Sequence, residues 1–246
     1  MNVPAAGPRE RFDRLDALRA LAMLWMAAFH FGFDLNHFGY LDPRQNFYRD
    51  PLWTWQRVCI VSTFLFCAGV GQAAALDAGQ SIARFWRRWA QVAGCAVLVS
   101  LGSALMFPKS WISFGVLHGI ALMLIVARFA APLGAWLWPL GLVAILLPRW
   151  VQDPFFETRW TNWVGLVTRK PITEDWVPLF PWLGVMLFGL AAGQWLLTRR
   201  RAWLAGPLPR ALQPLATLGR WPLTFYMLHQ PVFIGALLGG RALGAW

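Results

Sequence analysis

Residues 15–38 constrain the fold most strongly, because they combine an apolar run of membrane length with ionisable side chains. The segment is LDALRALAMLWMAAFHFGFDLNHF, and about 20 apolar residues suffice to cross a bilayer as a helix. Asp16, Arg19, His30, Asp34 and His37 follow one another at steps of 3, 11, 4 and 3 residues. At about 100° per residue these steps return to one helix face. A polar stripe on a membrane helix predicts a functional site, since such groups are costly in hydrocarbon.

The composition extends the membrane interpretation to the whole chain. Of its 246 residues, 58% are hydrophobic and only 13% are charged, whereas about 25% is usual in soluble domains. The chain has 22 Lys and Arg but only 11 Asp and Glu. Membrane topology explains this excess of positive charge, because cytosolic loops collect Arg and Lys. No nucleic-acid-binding motif is present. We therefore predict an all-α, polytopic membrane helical bundle with lipid as a partner and no nucleic acid.

The apolar runs and their Pro, Gly and charged boundaries predict about seven membrane spans. They cover approximately residues 16–36, 53–76, 88–107, 111–131, 133–148, 177–198 and 219–240. Because only Pro132 and its neighbours separate the fourth run from the fifth, these two should form a tight helical hairpin. We predict a cytosolic tail at 1–14 and a single transmembrane domain at 15–246.

The arginines set the predicted orientation, because cytosolic loops collect Arg and Lys. Three of them, Arg9, Arg11 and Arg14, precede the first span, and Arg199–Arg201 directly follow the sixth. This bias puts the N-terminus in the cytosol and the C-terminus outside. The predicted location is the cell's inner (plasma) membrane, with several passes.

All four histidines lie in or beside predicted spans. His30 is ~20 Å along its helix from the cytosolic side, and His118 and His229 lie ~10–15 Å inside theirs. We expect all four in the middle or outer half of the membrane, where helices packed as a bundle could enclose a shared cavity. Asp34 stands one turn after His30 and three residues before His37. Its carboxylate can orient either imidazole and raise its basicity, as a general base requires. The alternative, that a histidine only bonds helices together, stays open, above all for His118.

Arginines near the cytosolic span ends are candidates for binding phosphate. Arg19 lies at the base of the first span, and Arg87 and Arg88 lead into the third. A guanidinium group recognises phosphate oxygens through two parallel hydrogen bonds. The alternative is a topological signal with lipid headgroup contact.

Two more polar side chains lie within apolar runs. Arg57 requires an anionic partner when buried, and Asp34 or Asp50 is the candidate. Gln230 precedes Pro231, which is expected to kink the last span and expose polar groups. The scattered cysteines form no CxxC pair, and we predict no metal site.

Two outer loops are long enough to be functional. Residues 37–52 are rich in Asp, Arg, Asn and Tyr, and residues 149–176 mix Trp and Phe with charged residues. Aromatic rings beside carboxylates and amides suit a sugar-binding surface. An aromatic belt at the membrane interface is the alternative.

Six motifs in order carry a family resemblance: LDALRALAMLWMAAFHFGFDLNHFG, FLFCAGVG, FWRRWAQ, SWISFGVLHGIAL, DWVPLFPWLGVMLFGLAAG and LGRWPLTFYMLHQPV. Together they resemble the heparan-alpha-glucosaminide N-acetyltransferase catalytic-domain family, in its small bacterial members. The opening LDALR…FH also resembles the broader transmembrane acyltransferase superfamily. The family's important histidine maps best onto His37 and that of the superfamily onto His30.

The resemblance implies a membrane-bound acetyltransferase that takes acetyl-CoA from the cytosol and acetylates an amine or hydroxyl of a sugar or glycan outside. In this view Arg19, Arg87 and Arg88 would bind the CoA phosphates, and His30 or His37 would be the base with Asp34 orienting it. Substrate or oxyanion contacts would come from Arg57, His118, His229 and Gln230. A covalent acetyl-histidine intermediate stays open.

Two other classes of function compete with the enzyme. A polar-solute or proton-coupled carrier would use the same stripe, although no inverted repeat is visible. A non-catalytic membrane subunit would pack against an enzyme. Homo-oligomerisation is compatible with all three.

Overall fold

The computed structural model describes residues 11–244, and apart from one isolated bridge between Phe114 and Trp176 the regular structure there is helical. The helices are α1 (Asp13–His37), α2 (Pro51–Asp77), α3 (Ile82–Met106), α4 (Val116–Ala130), α5 (Leu137–Trp150), α6 (Leu179–Arg199), α7 (Arg201–Ala205), α8 (Gln213–Gly219) and α9 (Pro222–Ala242). The all-α prediction is confirmed. Most of the predicted 1–14 tail lies outside the described residues, and α1 already begins at Asp13.

Six segments within residues 11–244 are long and apolar enough to cross a membrane, with Val116–Trp150 counted as one segment of 35 residues. The number seven therefore stays a prediction, since α5 has only 14 residues and is short for a span. The segment nevertheless reverses at Ala131–Trp136, where Gly134 has φ 54°. Ala131 accepts a hydrogen bond from Gln194 near the end of α6. Further along the chain, Gly141 and Ile145 of α5 pack on Gly184, near the start of α6.

Polar caps fix the ends of the helices that frame the site. Asp50 accepts a hydrogen bond from the backbone of Leu52 at 2.8 Å and so begins α2. Ser81 begins α3 in the same way, by accepting from Arg84. Each cap satisfies a backbone N–H that has no partner inside the helix.

The main core is the contact of α2 and α5 with α6. Leu65, Met186 and Leu190 are fully shielded from solvent there. Glycines let the backbones approach: a Cβ on Gly69 would lie 2.6 Å from the Leu190 nitrogen, and one on Gly193 would lie 2.7 Å from the Ala73 Cβ. Small residues are the usual means of close helix packing in membranes.

Helices α1, α3 and α9 form the opposite side of the bundle. The short helix α8 docks on α1 through Gly219, where a Cβ would lie 3.0 Å from the Asp16 Cα. Helix α9 then runs alongside α1, with Phe233 against Phe31. These helices enclose a cavity together with α2 and α4.

Candidate functional site

A cavity of ≈ 1170 Å³ lies between α1, α2, α3, α4 and α9. It is lined by all five members of the polar stripe, namely Asp16, Arg19, His30, Asp34 and His37. From Arg19 to His37 the helix rises about 27 Å, which is close to the thickness of the hydrocarbon core. The stripe thus faces one continuous space that reaches most of the way across a bilayer.

Four arginines surround one end of this cavity, here named the arginine end: Arg11, Arg19, Arg88 and Arg220. Two of them meet carboxylates, Arg19 with Asp16 at 2.6 Å and Arg220 with Asp13 at 3.1 Å. Arg88 instead donates to the Gln91 side chain at 3.2 Å. The arginine end therefore has more positive than negative side chains and can receive an anion.

Gln72 lies on the cavity wall contributed by α2. Its side chain is only 5% exposed, and its amide nitrogen has no hydrogen-bond partner among the described residues. An unpaired buried amide costs free energy. A ligand with a carbonyl group would satisfy it.

His30 and His229 meet in the middle of the cavity, with ring centroids 5.2 Å apart. The ring of His229 lies between Phe225 and Phe233, and its Nδ1 is 2.7 Å from the Tyr226 carbonyl oxygen. Because that oxygen only accepts, Nδ1 carries the proton and Nε2 keeps its lone pair. Nε2 is buried without a hydrogen-bond partner in residues 11–244. The His229 imidazole is therefore held in one orientation, beside the His30 imidazole that faces the cavity.

Among the described residues, the hydrogen bond of the Asp34 side chain goes to α9 rather than to a histidine. It is 4% exposed, and its Oδ1 accepts from the Gln230 side chain at 3.3 Å. Its Oδ2 and the Gln230 Oε1 are both buried without partners in the described part of the chain. The expected orienting bond to His30 or His37 is thus replaced by a carboxylate–amide contact between helices.

The other end of the cavity, here named the loop end, is formed by His37 with the loops that follow α1 and precede α6. Tyr48 donates to Glu174 at 3.3 Å, and the hydroxyl of Ser110 bonds the other oxygen of the same carboxylate. Burial and the adjacent Glu174 carboxylate raise the pKa of Tyr48 to about 12. Tyr48 consequently remains a neutral hydrogen-bond donor at physiological pH.

Arg57 also lies at the loop end, but neither expected carboxylate partner binds it. It donates to the Phe47 carbonyl oxygen at 2.9 Å and lies over the ring of Tyr48. Asp50 instead caps α2, and Asp34 binds Gln230. One carbonyl uses one of the five guanidinium N–H groups, so Arg57 retains donors for a ligand.

Asp175 holds the start of α4 beneath the long outer loop. It accepts from the Val116 backbone at 2.7 Å. Burial raises the pKa of this carboxyl group, and that hydrogen bond opposes the shift. Asp175 and its neighbour Glu174 thereby join the 149–176 loop to the cavity wall.

Two of the sequence-predicted residues are not brought to the cavity. Arg87 is exposed and is absent from the lining, whereas Arg88 belongs to it. His118 binds locally: its Nδ1 accepts from the Gly115 backbone, and its Nε2 lies 3.2 Å from the Ser100 hydroxyl. It thus caps the start of α4 and, through Ser100, contacts α3.

The sequence interpretation missed several lining residues, namely Arg11, Gln72, Arg220, Tyr48 and Glu174. Arg220, in LGRWP just before the last span, could have been found by the argument used for Arg87 and Arg88. Nothing local distinguishes Gln72 from an ordinary membrane glutamine. No cluster of three His, Cys, Asp or Glu suited to a metal ion occurs between residues 11 and 244.

One of the comparisons with known proteins identifies a family. No curated protein and no solved structure matches the chain. One family matches over residues 11–231, which include almost every residue of the cavity lining, and its description is heparan-alpha-glucosaminide N-acetyltransferase, catalytic. The chain therefore belongs to the heparan-alpha-glucosaminide N-acetyltransferase catalytic-domain family.

Proposed function

We propose that the chain is a membrane acetyltransferase that takes an acetyl group from acetyl-CoA at the arginine end and transfers it to an amine or hydroxyl of a sugar at the loop end. The observation that carries the proposal is one continuous cavity with arginines at one end and the His30–His229 pair in the middle. Membership of the family supports a transferase. On this proposal the arginine end and the N-terminus face the cytosol of an inner membrane.

The phosphates of CoA would bind at the arginine end. Arg88 is the strongest candidate, because it lines the cavity and, within residues 11–244, its guanidinium group donates only to a neutral glutamine side chain. Arg19 and Arg220 would assist it, since a guanidinium group that already bonds one carboxylate retains further N–H donors. The unpaired Gln72 amide would bond a carbonyl of the pantetheine arm along the way to the histidines.

The chemical step would take place at His30. The acceptor nitrogen or oxygen attacks the thioester carbonyl carbon while an imidazole nitrogen of His30 removes the acceptor proton. The carbon–sulfur bond then breaks, and the same proton passes to the CoA thiolate. His229 would hold the ring of His30 in place, while free N–H groups of Arg57 and Gln230 would stabilise the oxyanion.

The acceptor would enter from the loop end. His37, Tyr48 and Glu174 line that mouth and offer an imidazole, a hydroxyl and a carboxylate, the groups that recognise sugar hydroxyls and amines. Exposed aromatic side chains of the outer loop, including Phe155 and Trp160, would add ring surfaces for a sugar.

The test is acetyl-CoA binding and acetyl transfer to glucosamine by the purified protein in detergent. His30→Ala should lower turnover by about a hundred- to ten-thousand-fold, as expected for loss of a general base, with acetyl-CoA affinity retained. His37→Ala should have a smaller effect. Failure of the wild-type protein to bind acetyl-CoA would reject the proposal, and near-normal turnover of His30→Ala would reject the assigned base.

A carrier is the second candidate, because the cavity reaches from the arginine end to the loop end. A carrier would move acetyl-CoA, or another polar solute, across proteoliposomes without breaking the thioester. Release of free CoA thiol during turnover therefore separates the transferase from the carrier.

A further inference from the structure

The glycines of α3 and α9 differ in their surroundings from the glycine at the closest contact of α2 with α6. At the α2–α6 contact, a Cβ on Gly69 would collide with backbone. On α3 and α9, a Cβ on Gly94, Gly102 or Gly235 would meet nothing within 4 Å. Small residues normally bring membrane helices together, but here they leave an opening.

The opening follows one face of each helix. On α3 its residues recur every fourth position, as Gly94, Leu98, Gly102 and Met106, and on α9 they are Ile234, Gly235 and Leu238. Towards the arginine end the opening widens into a second cavity of ≈ 560 Å³, which shares Arg88, Leu98 and Arg220 with the main one. We name this opening the α3–α9 gap.

The α3–α9 gap connects the main cavity with the lipid-facing surface. Leu98, Met106 and Leu238 are each at least half exposed, although they line the cavity. In a membrane these side chains contact hydrocarbon, so the gap presents an apolar slot to the bilayer. His229 and Gln230 line the same cavity one turn before Ile234 on α9, so the slot opens into the cavity beside the histidine pair.

Positive charge flanks the outer ends of both helices. Lys109 follows the last residue of α3 by three positions, and Arg241 lies in the last turn of α9. Both side chains are exposed, and neither belongs to the ion pairs found within residues 11–244. An anionic group at the membrane surface above the gap would be attracted to both.

We propose that the α3–α9 gap admits the hydrocarbon chain of a lipid-linked acceptor, in which the sugar is joined to a long chain through phosphate. The chain would lie in the apolar slot, the phosphate would approach Lys109 and Arg241, and the sugar would reach the loop end of the cavity. This rests on the proposed acetyl transfer for the role of the sugar, but the binding of the chain can be measured without it.

The test uses photo-crosslinking in nanodiscs with a diazirine-bearing polyprenyl phosphate as the probe. Labelled peptides should come from α3 and α9, and unlabelled polyprenyl phosphate should compete while an equal amount of phosphatidylglycerol should not. Gly102→Phe and Gly235→Phe should each lower labelling about tenfold, since a ring in the slot displaces about two methylene groups of the chain. Val143→Phe, at an exposed α5 position outside both cavities, is the matched control.

Three results would overturn the proposal: labelling confined to other helices, labelling unaffected by both glycine variants, or equal competition by phosphatidylglycerol, which would mean bulk lipid only. Acetyl-CoA binding is measured on the same samples. A wild-type protein that is labelled in the gap but binds no acetyl-CoA would support the chain site and reject the transferase.

Discussion

Gly69→Ala tests the packing that holds the cavity wall in place. The new Cβ would lie 2.6 Å from the Leu190 nitrogen and 2.9 Å from the Gly189 carbonyl carbon. Ordinary contact begins near 3.4 Å, so α2 and α6 must separate by about 1 Å at their closest approach. Overpacking of this kind costs roughly 1–3 kcal/mol, which corresponds to about 2–12 °C in the unfolding midpoint for a chain of this size.

Gly235→Ala is the matched control, because it adds the same methyl group to a membrane helix where nothing lies within 4 Å. Its effect should be neutral or stabilising by up to about 1 kcal/mol, the gain in helix propensity. Thermal unfolding of the detergent-solubilised proteins measures both variants. Equal midpoints for the two would refute the packing argument, and a clear loss for Gly235→Ala would show that the α3–α9 gap is closed.

The remaining predictions concern ligand binding, pH and topology. Arg88→Ala and Arg220→Ala should each weaken acetyl-CoA binding by about 1.5–3 kcal/mol, as measured by titration calorimetry. Arg87→Ala should leave acetyl-CoA affinity unchanged, because the Arg87 side chain is outside the cavity lining. A loss as large as that of the Arg88 and Arg220 variants would indicate a general effect of surface charge. Because the pKa of Asp175 is raised from 3.8 in the folded protein, stability should fall as pH rises from about 4 towards that raised pKa. Asp175→Asn should flatten this slope in urea unfolding, and an unchanged slope would rule out this residue as its source. A C-terminal alkaline phosphatase fusion should be active outside the cell, and an inactive fusion beside a fluorescent GFP fusion would reverse the assigned sides.

The sequence alone determined the class of the protein and the face of α1 that lines the cavity. Hydropathy over about 20 residues identifies membrane helices, and the period of 3.6 places side chains on a face without knowledge of any partner. All five stripe residues accordingly line one cavity. Six short motifs also indicated the family, because each motif is contiguous in the sequence and can be recognised without knowledge of tertiary contacts.

The tertiary structure decided which helix each polar face meets. His30 and His229 are 199 positions apart in the chain (229 − 30), and their contact depends on how α9 lies against α1. Asp34 is one turn from His30 in sequence, yet its hydrogen bond goes to Gln230 across the same interface. Helical periodicity sets the direction of a side chain but not the neighbour that fills the space. The α3–α9 gap also depends on the tertiary structure. A glycine in a helix permits either close packing or an opening, and the position of the opposing helix decides which of the two forms.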